Sequence, residues 1–415
     1  MARPILALPS LAVCLLAATA QAQSTPAFKF SGFGTLAGTT SSEKQADFTS
    51  GYAQPNGPGF TRSTDFGVDS RLGLQVDLNF GESFSAVVQA ISEHRYDNTY
   101  TPYLNMAHLK FKAASGLSFR AGRMPFSAYL ISDYKKVGYA MPWVRPPVEV
   151  YQFNPCTYVD GVDLVWQATA GDVAFSGQVI GGSTDANLPA TTGTSKFKGK
   201  SLGAASLSAT VGSATFRAFF LQMKSTVDNT YLDSATGPYA LLRAPLVPYP
   251  LDPSILVPNP YYNPTLADQF QIKSDKTTYL SVGFNYDPGD WFVMAEAARN
   301  AGDENQLLHA TGFYITGGYR FGAWTPYVTF ASKKTDSATT NANPIIAAIL
   351  AGGQQAQSST SAGVRWDFMK NFAVKAQFDQ VKNATDSPGA LINEQAAFKR
   401  GESYNLVTLA LDFVF

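Results

Sequence analysis

An antiparallel β-barrel that crosses a membrane with about 16 strands is the fold class this sequence predicts. Three observations carry the prediction. From Val407 the side chains alternate without a break to the last residue, with Val407, Leu409, Leu411, Phe413 and Phe415 on one face and Thr408, Ala410, Asp412 and Val414 on the other. Period two is strand geometry, and an apolar row that runs to the final atom is unusual where termini ordinarily fray. The same alternation recurs along the whole chain. Its connections are short and long by turns, which puts tight turns on one rim and long loops on the other.

The chain opens on what reads as an export signal. Arg3 supplies a positive charge, an apolar run covers 5–18, and Ala20-Gln21-Ala22 has the small-x-small form of a cleavage site. Residues 1–22 are therefore expected to be a signal peptide and residues 23–415 a single barrel domain. The run is shorter than the roughly 20 residues of a membrane helix. Cys14 lies inside it behind Val13 rather than a small residue, which argues against a lipid anchor.

Alternation then predicts strands near 27–38, 66–80, 83–97, 103–113, 117–126, 159–169, 172–183, 200–211, 214–225, 276–287, 290–300, 309–321, 324–334, 358–368, 371–382 and 402–415. In the second, Val68, Leu72, Leu74, Val76, Leu78 and Phe80 form one face, and Asp69, Arg71, Gly73, Gln75, Asp77 and Asn79 the other. Tight turns are expected at Gly81-Glu82, Ala114-Ser115-Gly116, Ala170-Gly171, Gly212-Ser213, Pro288-Gly289, Gly322-Ala323 and Met369-Lys370. Longer connections fall near 39–65, 98–102, 127–158, 184–199, 226–275, 301–308, 335–357 and 383–401. The Pro-rich stretch 236–265 is expected to stay out of any ladder, because proline lacks the donor. The stretch 341–353 suits a short loop helix. Phe28, Phe30, Phe80, Phe119, Trp166, Trp291, Trp324, Phe330, Trp366 and Phe372 sit mostly near strand ends, where aromatic girdles form.

Composition narrows the function. Thirty-one Lys and Arg balance 31 Asp and Glu, so nothing draws the chain to nucleic acid. Beyond the signal, Cys156 is the single cysteine, which rules out an internal disulfide and reads as an ordinary loop residue. Only His94, His108 and His309 are present, in no catalytic motif and with no metal-ligand spacing, so neither catalysis nor a cofactor is expected. Charges placed within strands fall opposite the apolar rows: Arg71, Asp77, Lys110, Lys112, Arg120, Asp163, Arg217, Glu296, Arg320, Arg365, Lys375 and Asp379. A dry core would not hold so many ions, which predicts a largely wet lumen.

In its order of motifs the whole chain resembles the 16-stranded Gram-negative porins, most of all the general porins of proteobacteria. The resemblance is carried by the signal, the opening FKFSGFGTLAG, the strand DSRLGLQVDLNFG, the FRAGRMPF strand before a long third loop, and the terminal LALDFVF. It implies an outer-membrane channel for passive diffusion of small hydrophilic solutes, with outer-membrane lipid around it. It also implies a homotrimer, a third loop (127–158) folded into the pore, and Phe415 as the residue read by the barrel-assembly machinery. The sequence departs from that pattern where the third loop carries Lys135, Lys136 and Arg145 beside Asp133 and Glu149, and in the Pro-rich stretch.

The expected constriction sets Arg71, Arg95, Arg120 and Arg123, on strands two, three and five, against Asp133 and Glu149 of the third loop. Arg123 breaks the inward parity of Arg120 and needs a bulge or a place at the rim. Arg320, Arg365 and Lys375 complete the expected pore lining. Tyr134, Tyr139, Trp143, Tyr151 and Phe153 either pack the loop to the wall or offer a stacking surface to sugars or aromatic acids. Two other functions stay open on sequence alone: a substrate-selective channel that uses the long loops as a filter, and a barrel serving adhesion through its loops.

Overall fold

The computed structural model describes residues 27–189, 194–302, 309–335 and 341–415; the expected signal at 1–22 lies outside them. Sixteen long strands form one closed antiparallel sheet. In chain order they are β1 (Ala27–Ser41), β2 (Arg71–Phe80), β3 (Phe84–Glu93), β4 (Tyr103–Ala114), β5 (Leu117–Pro125), β6 (Tyr158–Ala170), β7 (Val173–Pro189) and β8 (Thr194–Val211). The second half comprises β9 (Ala214–Asn229), β10 (Asp275–Tyr286), β11 (Trp291–Gly302), β12 (Ala310–Tyr319), β13 (Trp324–Thr335), β14 (Gln357–Met369), β15 (Phe372–Asn383) and β16 (Ser403–Val414). Each pairs with its neighbour in sequence. The ring closes where the upper half of β1 pairs with β16, from Phe33 opposite Val414 to Ser41 opposite Leu406.

The turns close for a local reason. Gly81, Gly116, Gly171, Gly212, Gly289, Gly322 and Asn371 all have positive φ, one at each of the seven short connections. A side chain with a Cβ resists that conformation; Gly and Asn tolerate it. Along the short-turn rim aromatic rings touch in series, among them Trp324 stacked on Trp366 at 5.0 Å and Phe372 on Phe413 at 6.0 Å. The outward rows are apolar and exposed, as at Leu72, Leu74, Val162, Phe313 and Leu409.

Four expectations are corrected. Residues 66–70 do not extend β2: the Asp65 carboxylate accepts the N–H groups of Gly67 and Val68, both at 2.7 Å, which turns the chain. Val68 is consequently buried under the loops rather than placed on the outer row. β3 ends at Glu93, so Arg95 lies in the next loop, where Asn98 adopts φ 59° and its N–H bonds the Arg95 carbonyl. Much of 184–199 is ladder, because β7 and β8 run on side by side, with Lys196 paired to Asp185 of β7 and Lys198 to Asp228 of β9. The Pro-rich stretch forms its own two-stranded ribbon, Leu246–Tyr249 with Asp252–Pro258, in which both strands are edges and can hold proline. The expected loop helix is present as Pro344–Gly353, capped by the Asn343 side chain on the Ile345 N–H.

The core lies inside the barrel. The third long loop, L3 (126–157), contributes Phe126, Tyr129, Ile131, Met141, Trp143, Val150 and Phe153 to one buried cluster with wall residues such as Phe219, Tyr279 and Tyr314. Above it the first and last long loops meet in a second cluster, where Phe48 and Val68 pack with Val148 of L3 and with Leu391, Tyr404 and Leu406.

Candidate functional site: the third loop and the cavity above it

L3 does not lie along one wall. It crosses the lumen and is held from nearly every side. On β9 and β10, Arg217 donates to the Ser127 carbonyl at 3.0 Å and Ser281 to that of Ala128 at 2.7 Å. On β11, Glu296 accepts the Leu130 N–H at 3.2 Å and the Tyr151 hydroxyl at 2.9 Å. Opposite, on β3, Glu93 holds the Lys136 ammonium at 2.6 Å. Lys375 of β15 donates to the carbonyls of Gly138 and Trp143, both at 2.7 Å, and pairs with Asp412 of β16 at 2.8 Å. Arg365 of β14 donates to Tyr139 and Met141 carbonyls while paired with Asp367. The Trp143 indole N–H reaches Thr316 and Thr329 on β12 and β13.

The tightest junction is Arg145. Its guanidinium binds Asp69 at 2.6 Å and Asp379 at 2.8 Å and donates to Thr39 and Thr408. Burial alone would raise the Asp69 carboxyl, but the Arg145 charge beside it holds it below the usual range. The reason for this density of bonds is general: a chain segment inside a lumen must satisfy its own N–H and C=O groups. The wall charges do so here. Many of the inward charges are engaged by L3 or, like Arg120 with Asp163 at 2.5 Å, by the neighbouring strand.

Open space remains on the long-loop side. A cavity of about 210 Å³ is lined by Arg71 at the top of β2, Glu93, Arg95, Tyr103, and Lys135 and Lys136 of L3, among others. Beneath it, a gap of about 20 Å³ shares Lys135 and Lys136 and is lined on the wall by Gln89 and Asn105. Burial, with Lys136 adjacent, lowers the Lys135 ammonium to about 7. The Lys136 ammonium is lowered as well, by burial, although Glu93 works the other way.

The sequence-predicted residues are distributed as follows. Arg71 and Arg95 line the cavity, Arg95 with its guanidinium 5.2 Å from the Tyr103 ring. Arg120 is neutralised by Asp163. Arg123 sits on the outward parity of β5, beyond Gly122 with φ 126°, bound to Asp160 at 2.7 Å and 3.6 Å from the Tyr158 ring. Asp133 lines the small gap, while Glu149 is buried on the far side, accepting from Gln357 at 2.7 Å. Burial pushes its carboxyl up. The two loop carboxylates therefore do not stand opposite the arginines as a pair. Arg320 pairs with Asp287 at 2.7 Å beside the short turn, and Arg365 and Lys375 clamp L3. Of the loop aromatics, Trp143 and Phe153 are buried, and Tyr151 stacks on Tyr129 at 4.6 Å, so these pack the loop. Cys156 is buried, which pushes its thiol up to about 12. Glu93 and Asp69 were missed; Glu93 continues the inward parity of Gln89 and Ile91, which was the available signal.

No family model and no curated protein matches this sequence. Solved structures do. An anion-selective porin from Comamonas acidovorans superposes with TM-score 0.52 at 11% identity, covering 94% of this chain and 100% of that one. OmpF of Salmonella typhi, in complex with daunomycin, gives 0.54 at 12% identity over 94% and 97%. The outer membrane channel DcaP of Acinetobacter baumannii gives 0.53 at 12% identity over 96% and 100%. A sixteen-stranded closed wall, a loop folded into its lumen and full-length superposition together give this chain the fold of the outer-membrane porins.

Proposed function

We propose that this protein is an outer-membrane channel for small hydrophilic solutes, narrowed by L3 to a selective passage rather than open as a general diffusion pore. The observation that carries the reading is the anchoring of L3 across the lumen, from Ser127 on β9 to Arg145 against β15, with a basic cavity left on one side. Passage then runs beside Lys135 and Lys136, facing Glu93, Gln89 and Asn105 on β3 and β4. No catalytic step is part of this reading; His94 bonds the Asn98 side chain, and His108 and His309 bond the Arg123 and Gly302 carbonyls. Outer-membrane lipid covers the apolar rows, and the barrel-assembly machinery reads β16 and Phe415 after export by the residue 1–22 signal.

The working unit is a homotrimer, in line with a Vibrio cholerae outer membrane protein of similar fold, TM-score 0.53, solved in trimer form. The purified protein is expected to run as a trimer before heating and as a monomer after; a monomeric mass in mild detergent would contradict this. Single-channel recording and liposome swelling test the function. The expected result is a small current that saturates with a suitable solute and slow entry of neutral sugars. A large linear current with free sugar entry means a general porin. No current from an intact barrel means that the long loops serve adhesion instead.

A further inference from the structure

The cations that touch L3 are mostly spoken for. Lys136 has Glu93, Arg145 has Asp69 and Asp379, Arg365 has Asp367, and Lys375 has Asp412. Arg71 and Lys135 differ. Neither has a carboxylate or carbonyl within hydrogen-bond reach among the described residues, and the Lys135 ammonium has only the Tyr129 ring, 5.2 Å away. Both line the same cavity, one from the wall and one from the loop. The nearest acid, Glu93, already accepts from Lys136 and from the Tyr103 hydroxyl at 2.6 Å.

We propose that this cavity binds a small organic carboxylate, its head group held between Arg71 and Lys135 and its body against the tyrosine walls. This rests on the channel reading above and names its solute. The charge count supports it. With Arg145 set aside because two aspartates neutralise it, Arg71, Arg95, Lys135 and Lys136 face only Glu93 and Asp185 on the lining. An ion without a partner in a half-buried cavity is costly, and an anion removes that cost for both cations at once. Arg71 offers a planar fork matched to two carboxylate oxygens, and Lys135 a point charge. The cavity, about 210 Å³, has room for roughly seven water volumes, enough for an anion of several heavy atoms. Tyr52, Tyr103, Tyr151 and Tyr158 line it. Two of them have hydroxyls already bonded to Glu93 and Glu296, which leaves their rings rather than their polar tips to meet a ligand. Lys135 and Lys136 also line the gap below, so a bound anion leaves the site along cations.

The test uses the full-length protein, benzoate as the probe, and benzylamine and sulfate as comparisons. Titration calorimetry in detergent reads binding; current in planar bilayers reads block separately. Benzoate is expected to bind and to reduce the current, benzylamine to do neither, and sulfate to bind at least tenfold more weakly because it lacks the apolar body. Equal binding of sulfate and benzoate overturns the carboxylate assignment. Arg71→Gln and Lys135→Met should each weaken benzoate at least about tenfold, the loss of one charge-assisted contact. Arg71→Lys should recover part of that loss, and Lys112→Gln, far down β4, should leave binding unchanged. Each variant is first shown to keep the heat-modifiable mobility of the folded barrel. Current without benzoate binding overturns this site and keeps the channel. Benzoate binding that depends on Arg71 without any current keeps the site and overturns the channel.

Discussion

At the residue scale, the alternation that builds the wall gives neighbours opposite surroundings. Leu74 is 52% exposed on the outer face, whereas Gln75 points inward, accepts from Gln89 at 2.8 Å and donates to Asp77. Leu74→Arg puts a charge against lipid at a cost of about 2–4 kcal/mol, while Gln75→Arg stays with polar partners. The first variant should therefore fold into bilayers far less well than the second, as read by heat-modifiable mobility; equal yields would contradict the register. Lys135 gives a pH prediction. Its ammonium, lowered to about 7 by burial and by Lys136, faces Glu93 and Arg71 from the wall and Tyr129 and Cys156 from its own loop. A carboxylate binds the charged form, so affinity is full well below pH 7 and falls as pH rises through it. Benzoate, with a carboxyl pKa near 4, remains ionised over the whole range. Block should thus be stronger at pH 6 than at pH 8.5, and Lys135→Met should flatten the profile. A wild-type profile that rises with pH would contradict it.

At the element scale, the strands and the loop were legible to different degrees, for a physical reason. A strand declares itself locally, through period two and through the Gly or Asn that its turn requires, and all sixteen are legible, with ends displaced by up to six residues where β7 and β8 run on past the expected bounds. Alternation also told which charges point inward. It carries no information on what they meet there. Lys375 bonds Gly138, 237 positions away, and Arg145 bonds Asp379, 234 positions away; no spacing encodes such pairs. That is why Arg71 and Arg95 came to one cavity as a group while Glu149, expected opposite them, went to Gln357 instead. Asx turns were the second blind spot: Asp65 ended what looked like a longer strand. The anchors make L3 the element to perturb. Lys375→Met leaves Asp412 buried without its cation, a loss of about 3–5 kcal/mol, and frees two loop carbonyls. The barrel ladder does not depend on that bond. The variant should keep its barrel but loosen L3, seen as higher conductance and faster sugar entry. Pairing it with Asp412→Leu removes the orphaned charge and should recover part of the closure. Unchanged conductance in Lys375→Met would mean that the loop is held without this clamp.

At the scale of the whole molecule, closure of the ring depends on its last residue. Gly32 and Phe415 exchange two backbone hydrogen bonds, both 3.0 Å, at the short-turn end of the β1–β16 seam. The side chains explain the sequence on both sides. A Cβ on Gly32 would stand 2.2 Å from the Phe415 ring, and one on Gly34 2.2 Å from the Phe413 ring, so each glycine is a seat for an aromatic of the closing strand. Phe372, Phe413 and Phe415 then stack in a row on the outer rim. A barrel has no edge only while this seam is shut; opened, it presents unpaired N–H and C=O groups to lipid, each costing several kcal/mol. Deleting Phe415 removes both Gly32 bonds and one ring of the stack but leaves the proposed export signal at 1–22 untouched. The expected outcome is normal secretion with poor assembly: precursor processed, folded barrel in the outer membrane reduced several-fold, and the remainder degraded. Gly32→Val separates the two contributions, because it keeps Phe415 for recognition yet displaces its ring. If recognition dominates, Gly32→Val assembles at near-normal yield but melts earlier; if the seam dominates, it fails as the deletion does. A Phe415 deletion that reaches the membrane at full yield and full heat stability would show that neither the ring nor the two bonds closes this barrel.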